Sequence, residues 1–454
     1  MSAIAKILIS KGFSVSGSDH KPNQHTEILK TNGVQIFNQQ NPKNIELICQ
    51  QQSQLPLIVI SSAISNTNLE LKEAQKLNLE ILHRSELLAN LIEMNKSIVV
   101  AGTHGKTTTS AIISTLLVKA KQDPTAIIGG YVPCFQSNAR IGTKSLLVAE
   151  ADESDGTLTR FSPSIGIITN IELDHTNYYK NIEDLIKTMD KFGSNCEVLI
   201  ANYDCPISKA YLKPSAWFSI KETENIDFSA IPITQNENKI EVNIFEKNHF
   251  VDTLNIPLIG LHNLSNTIAA IASCRIHGIS FNDLKKHIHE ISPPKRRLEK
   301  LGIWEGREII DDYAHHPSEI NATLKAAKIL VKKNERLAVI FQPHRYTRTK
   351  QFMNEFAQSL SLADLVFLAP IYSAGEKFIE NANSQYLAKE IIQLRPELKV
   401  ITGDNLEELI DLIKKYTKPK DILLSMGAGD INSIWNHLEL QNLSEICQQN
   451  HIAA

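Results

Sequence analysis

The chain of 454 residues is long enough for about two to four domains, each burying its own core. Hydrophobic residues make up 42% and charged residues 21%, the balance of an ordinary globular protein, and a formal net charge of −3 offers no basic surface for nucleic acid or an acidic membrane. No apolar run approaches the ~20 residues that cross a bilayer, and the N-terminal MSAIAKILISKG reads as too short and interrupted for a signal peptide. The six cysteines (Cys49, Cys134, Cys196, Cys205, Cys274, Cys447) form no CxxC pair, which points to free thiols in a reducing cytoplasm and away from a zinc site.

Residues 1–83 alternate predicted strands at 14–19, 34–37 and 57–63 with helical stretches. Asp19 ends a strand, where a carboxylate can meet a hydroxyl-bearing ligand such as a ribose; a simple turn former is the other reading. Ser61 and Ser62 lie at the end of the third strand. A Rossmann-like unit opens with a strand and a glycine-rich turn. Residues 1–8 read instead as the helix that follows such a turn, so the first unit begins partway through.

Residues 84–297 contain the stretch around which the chain is organised. An apolar, β-branched run, Ile98-Val99-Val100-Ala101, predicts a buried parallel strand. It turns through Gly102-Thr103-His104-Gly105 into Lys106-Thr107-Thr108, and Ile112, Ile113, Leu116 and Leu117 follow at helical spacing. Strand, glycine turn and Lys-Thr helix start make a phosphate cradle, in which backbone N–H groups meet the anion, the lysine neutralises it and a hydroxyl holds Mg²⁺. Val100 stands where the general P-loop pattern has glycine, and an ordinary strand-to-helix turn is the alternative. A second strand at 145–149 ends in Glu150, Asp152, Glu153 and Asp155, of which one carboxylate can hold Mg²⁺. A third strand at 165–171 leads to Glu172-Leu173-Asp174-His175, with His175 a further metal-ligand candidate or a surface histidine. Residues 227–257 alternate at period two and predict a small antiparallel sheet. Asn263 and Asn266 share a face at a helix start, and Pro293-Pro294-Lys295-Arg296-Arg297 reads as a linker carrying two phosphate-gripping arginines.

From residue 298 candidate strands at 308–312, 337–341, 365–369, 398–401 and 421–425 alternate with helical stretches, the pattern of βαβ units in a parallel sheet. Polar clusters follow the strands: DDYAHHP with Asp312, His315 and His316; QPHRYTR with His344, Arg345 and Arg348; YSAGE; and GAGD. All should lie along one sheet edge.

The ordered set GTHGKTTT, EADESD, NIELDH, HNLSN, RR, DDYAHHP, QPHRYTRT and GAGD resembles the Mur ligases of peptidoglycan synthesis, from residue 1 to about 440. The resemblance implies an α/β chain of three domains: a UDP-sugar-binding, Rossmann-like domain at 1–83, incomplete at its start; a central P-loop-type ATPase domain at 84–297, mostly parallel with a small antiparallel sheet; and a C-terminal Rossmann-like domain at 298–454. It implies that Gly102 to Thr108 bind ATP, with Lys106 on the β- and γ-phosphates, and that Thr107 with Glu150 holds one Mg²⁺ and His175 a second. Asn263, Asn266, Arg297 and Asp312 match nucleotide contacts. Asp19, Ser61, Ser62, His315, His344, Arg345 and Arg348 are carried as substrate contacts, and Lys106, Glu150, His175, Arg297 and His316 as the catalytic set. The motif details look most like the members that join L-alanine to the carboxylate of UDP-N-acetylmuramate through an acyl phosphate. The recycling members that add a whole peptide, the folylpolyglutamate synthases and a non-catalytic UDP-sugar- or nucleotide-binding protein stay as rivals. The family opens with a GxGGxGMS turn on the UDP diphosphate, and Met1-Ser2 aligns with its end. Either residue 1 is an internal methionine of a longer reading frame, or one strand and its anion site are lost; a chain without that turn is expected to bind the UDP-sugar poorly.

Overall fold

The computed structural model describes residues 1–20 and 24–441, which pack as two compact units. The first holds Met1–Leu173, Asn181–Phe218 and Ala269–His287; the second holds Asp174–Lys180, Ser219–Ile268 and the described residues from Ile288 onward. Contacts therefore group the N-terminal segment with the phosphate-loop strands, and the antiparallel strands with the C-terminal segment.

In the first unit the opening residues form the helix Ser2–Ser10, with Ala3, Ile4 and Ile7 buried. Four short strands follow: β1 (Ser16–Ser18), β2 (Gln35–Phe37), β3 (Ile58–Ile60) and β4 (Ile81–His83). β1 pairs with β2 and β3 with β4, both in parallel, with the helices Gln24–Thr31 and Leu69–Lys76 as crossovers. Next come β5 (Lys96–Ala101), β6 (Thr125–Val132), β7 (Ser137–Arg140), β8 (Leu146–Glu150), β9 (Ile165–Ile168), β10 (Val198–Asn202) and β11 (Ala216–Ser219). They line up as β11-β10-β9-β5-β8-β6-β7, parallel except where β6 meets β7. Ser97 to Ala101 of β5 are buried, which accounts for the unbroken apolar run Ile98 to Ala101. β5 lies between β8 and β9, so the loops after these three strands open on one edge at a switch in strand order, the place where open α/β sheets take ligands.

The helix Lys106–Lys119 departs from the expected one-sided stripe, since every residue from Thr108 to Leu117 is buried. It packs on β5, β6 and β8 and also against the helix Phe281–His287, which closes its other side.

In the second unit β12 (Phe228–Gln235), β13 (Ile240–Glu246) and β14 (His249–Ile256) form an antiparallel meander, with Ile240, Val242 and Ile244 buried at period two as predicted. The C-terminal sheet comprises β15 (Glu299–Trp304), β16 (Arg307–Asp312), β17 (Leu337–Phe341), β18 (Leu365–Leu368), β19 (Lys399–Thr402) and β20 (Ile422–Met426), in the order β15-β16-β20-β17-β18-β19. β15 and β16 are a hairpin whose Glu305-Gly306 turn has φ +47° and +79°, the two positive values that match strand twist. The other pairs are parallel, so the polar stretches after β16, β17, β18 and β20 emerge on a single edge. Leu337, Val339 and Phe341 enter the core on one face of β17, and Ala338 and Ile340 the core on the other.

Cys49, Cys134, Cys196, Cys205 and Cys274 are free thiols, and Cys447 lies outside the described residues. Burial pushes the thiols of Cys196 and Cys274 up to about 12, which keeps them protonated and inert. Among the described residues, no helix is long and apolar enough to cross a membrane.

Candidate active site

β5 ends at Ala101, and residues 102–105 carry the chain into the helix Lys106–Lys119. Gly102 has φ +121°, and a Cβ there would lie 2.1 Å from Thr169 Oγ1, so only glycine lets the loop rest on the end of β9. Gly105 enters the helix at φ +84°. The residues after β9 hold the loop. Thr103 N–H donates to the Asn170 carbonyl at 3.1 Å and His104 N–H to Asn170 Oδ1 at 2.9 Å. Thr169 Oγ1 and Asn170 Nδ2 both donate to the His104 carbonyl, at 2.6 and 3.0 Å. Thr103 Oγ1 exchanges hydrogen bonds with the Glu172 backbone at 2.9 Å each way. A loop tied this firmly presents its helix-start N–H groups to an anion with little ordering cost.

The acidic run after β8 supplies the other side. Lys106 Nζ donates to Glu153 Oε2 at 2.6 Å, to Gly102 O at 2.7 Å and to Thr103 O at 3.0 Å. Burial alone would pull the ammonium's pKa down, but the Glu153 carboxylate outweighs it and holds Lys106 above the ordinary lysine value. Thr107 Oγ1 donates to Glu150 Oε2 at 3.0 Å, while Ser110 Oγ and Gly129 N–H donate to Glu150 Oε1 at 3.0 and 2.6 Å. Burial raises the Glu150 carboxyl's pKa, with these hydrogen bonds opposing. Asp152 pairs with Arg84 at 3.0 Å, and Asp155 accepts from Ser62 Oγ at 2.7 Å. Each carboxylate of the run thus makes a specific side-chain contact in the fold. The hydroxyl and carboxylate oxygens of Thr107 and Glu150 are hard donors, a set that fits Mg²⁺.

In the second unit the candidate residues gather where the C-terminal strands end. Arg348, after β17, forks onto Asp174: Nη2 lies 2.8 Å from Oδ1 and 3.1 Å from Oδ2, and Nε 3.2 Å from Oδ1. Burial would raise the Asp174 carboxyl, yet the guanidinium holds it well below the usual carboxylate range. His344 Nδ1 is 3.3 Å from Arg348 Nη1, and its ring stacks on Tyr372 with centroids 5.6 Å apart. Arg345 adopts φ +70° and is held there by its N–H on the Tyr372 carbonyl at 2.8 Å, with Tyr372 N–H on Pro343 O at 2.9 Å. Glu376 accepts from Thr347 N–H at 3.0 Å and from its hydroxyl at 2.7 Å.

At the end of β16, the buried Asp312 carboxylate accepts from Leu298 N–H at 2.7 Å and Ala314 N–H at 2.8 Å. Burial lifts its pKa to about 6 against the pull of Arg297. His315 Nδ1–H donates to Tyr313 O at 3.0 Å, and burial lowers the ring to about 3. His316 Nδ1 caps the helix Pro317–Ala327 by accepting from Ser318 N–H at 3.4 Å, and Glu319 Oε2 returns the bond from His316 N–H at 3.3 Å. Arg297 Nη1 lies 3.7 Å from Glu319 Oε1. Asn263 and Asn266 are both buried on the helix Leu261–Ile276, with Asn263 Nδ2 on Ile259 O at 2.8 Å.

The structure thus brings Gly102 to Thr108 together with Glu150 in the first unit. Asp19 follows β1 with its N–H on Phe37 O at 3.0 Å, and the Ser61 carbonyl accepts from Ile64 N–H at 2.9 Å in a turn after β3. His175, at φ +52°, lies in the second unit, as do Asn263, Asn266, Arg297, Asp312 and the His-Arg cluster. Sequence reasoning singled out none of Glu153, Asn170, Asp174, Glu319 and Glu376 for a role of its own, although Glu153 and Asp174 lay inside motifs it read. Glu319 was detectable, because His316-x-x-Glu319 has capping-box spacing. Glu153 was one carboxylate in a run of four, and nothing along the chain says which of them meets Lys106.

Family models match the chain in three consecutive stretches: Mur ligase family, catalytic domain over residues 1–96; Mur ligase middle domain over 100–274; and Mur ligase, glutamate ligase domain over 296–429. The chain is 48% identical to a UDP-N-acetylmuramate–L-alanine ligase of Prochlorococcus marinus (strain MIT 9313), covering 96% of this chain and 91% of that one. It is 50% identical to the protein of that name from strain NATL1A, covering 100% of this chain and 94% of the relative. Among solved structures it resembles a UDP-N-acetylmuramate–alanine ligase from Thermotoga maritima, at 25% identity and TM-score 0.79, over 99% of this chain and 97% of that one. The three matches in order, and identity near one half along the whole length, settle the kinship: the chain belongs to the Mur ligase family.

Proposed function

We propose that the chain is an ATP-dependent ligase that joins L-alanine to the carboxylate of UDP-N-acetylmuramate for peptidoglycan synthesis. The observation that carries this reading is the 48–50% identity, over at least 96% of the chain, to proteins named for that reaction. Residues 1–83 would take the UDP-sugar, with Asp19, Ser61 and Ser62 on it; 84–297 would take ATP; and 298–454 would close the reaction. ATP use and the free thiols fit a cytoplasmic enzyme.

In this reading the sugar carboxylate attacks the γ-phosphate of ATP, giving an acyl phosphate and ADP. The amine of L-alanine then adds to the acyl carbon, and phosphate leaves from the tetrahedral adduct. Phosphoryl transfer asks the protein for position and countercharge more than for covalent help. Lys106 and the N–H groups after Gly105 supply both, with Asn263, Asn266, Arg297 and Asp312 on the nucleotide side. Thr107 and Glu150, with His175 for a second ion, would hold Mg²⁺, which shields phosphate charge when bound. Arg345, Arg348, His315 and His344 would orient the acceptor. His344 and His315 stay neutral at pH 7, since burial lowers them to about 4 and about 3. An amine can arrive neutral, so the second step does not depend on a protein base, His316 included.

The test is phosphate release from ATP with UDP-N-acetylmuramate and L-alanine supplied together or singly. Turnover should need both. Activity with the tripeptide of the recycling reaction but not with alanine would overturn the assignment, and no turnover with either would favour a binding protein.

A further inference from the structure

All three donors of Lys106 are committed to protein acceptors: two backbone carbonyls of its own loop, Gly102 O at 2.7 Å and Thr103 O at 3.0 Å, and Glu153 Oε2 at 2.6 Å. A phosphate oxygen that takes this lysine has to displace one of them. The carbonyls are poor candidates, because Thr103 and its neighbours are pinned to Asn170 and Glu172 and Gly102 lies hard against Thr169. The Glu153 carboxylate ends a side chain with its own rotamers and can turn. It is 1% exposed, so its charge is not dispersed into water. Its neighbours in the run are spoken for elsewhere, Asp152 by Arg84 and Glu150 by Thr107, Ser110 and Gly129.

We propose that Glu153 is a positioning residue that acts as an internal stand-in for nucleotide phosphate. It holds Lys106 folded over the loop, yields it when a phosphate arrives, and takes it back as product leaves. A buried carboxylate that competes for the lysine, and repels a polyphosphate beside it, weakens nucleotide binding and speeds the exit of ADP. The inference rests on the reading that Lys106 binds nucleotide phosphate.

Glu153→Gln keeps the shape and removes the charge. ADP with Mg²⁺, titrated by calorimetry, should bind this variant about tenfold more tightly than the parent, the size of one screened unit-charge interaction. Release of a fluorescent ADP analogue should slow by a similar factor. Glu153→Asp, which keeps the charge, should bind ADP no more tightly than the parent. A merely structural glutamate predicts the reverse for Gln: a lower melting temperature together with weaker ADP binding. Equal or weaker binding by Glu153→Gln therefore overturns the proposal. Lys106→Ala separates the two layers. If it binds ADP like the parent, the phosphate-loop reading falls and takes this inference with it; if it loses ADP while Glu153→Gln gains nothing, only the inference falls. Should the Gln variant fail to fold, a crystal structure of the unaltered chain with ADP decides: Glu153 Oε2 must then lie beyond hydrogen-bond reach of Lys106 Nζ, and persistence of the 2.6 Å contact refutes the exchange.

Discussion

Gly129 shows how tightly the carboxylate beside the phosphate loop is set. Its N–H donates to Glu150 Oε1 at 2.6 Å, and a Cβ there would stand 2.9 Å from Glu150 Oε2 and 3.3 Å from Thr107 Oγ1. Gly129→Ala should therefore push the carboxylate off Thr107. We expect a small loss of stability, ~1–3 kcal/mol for overpacking, together with a much larger rise in the Mg²⁺ concentration needed for half-maximal activity. An unchanged Mg²⁺ titration would show that the Glu150 position is not tuned for a metal. The Asp174–Arg348 pair is decided by burial. Both residues are buried and joined bidentately, so Asp174→Asn leaves a guanidinium without its countercharge. Removing one partner of such a pair costs ~3–5 kcal/mol, and chemical denaturation should read that loss. The motif ELDH placed both Asp174 and His175 in view, but the sequence could not say that Asp174 meets an arginine 174 positions later.

Helix starts and linkers carry the next level of the argument. His316 occupies the cap of Pro317–Ala327, with Glu319 closing the box. Losing a cap typically costs ~1 kcal/mol. His316→Ala should lose about that much, and His316→Asn, which caps well, should keep both stability and most activity. Retained stability with activity lost in the Asn variant would instead assign His316 a chemical task. The linker at 296–298 is equally determined by side chains from beyond it. Arg296 and Leu298 have φ +60° and +47°, values that non-glycine residues avoid. They are held by Arg296 N–H on Glu299 at 2.7 Å, Arg296 Nε on Asp311 at 2.8 Å and Leu298 N–H on Asp312 at 2.7 Å. Five of the six C-terminal strands, β16 to β20, were legible to within one residue at each end, because parallel strands in a covered sheet read as short apolar runs between polar turns, whereas the antiparallel edge strand β15 was not picked out. The all-round burial of Thr108 to Leu117 was not legible, since a helix some 160 residues further on, Phe281–His287, packs against that stretch's helix.

Over the whole molecule, buried titratable groups set how stability changes with pH. His262 and His344 are lowered to about 4 and His315 to about 3, chiefly by burial, so each is neutral in the fold and takes up a proton more readily when unfolded. Their contribution is fully present above the unfolded histidine value of ~6.5 and is lost as pH falls from there through the folded values. Asp312 runs the other way. Raised to about 6, it makes the fold less stable as pH climbs from ~4 to about 6. Asp174, held low by Arg348, keeps its contribution until pH drops below the ordinary carboxylate value. Glu150 and Asp311, also raised by burial, act with Asp312, while His277, lowered by burial, acts with the other three histidines; the histidines, helped by Asp174, set the direction, so the melting temperature should be level from pH 8 to 7 and decline from 6.5 to 4. A rise on acidification to pH 5 would show that these groups are not buried as described. The sequence by itself determined the α/β class, the strand-ends that carry polar residues and the family to which the motifs belong, because periodicity, glycine turns and ordered motifs are local properties of the chain. Only the tertiary structure decided which carboxylate meets Lys106, which acid answers Arg348 and which histidine is spent on a cap. Those pairings depend on the order of strands in the sheets, which brings distant residues to one edge and leaves no water to share their charges.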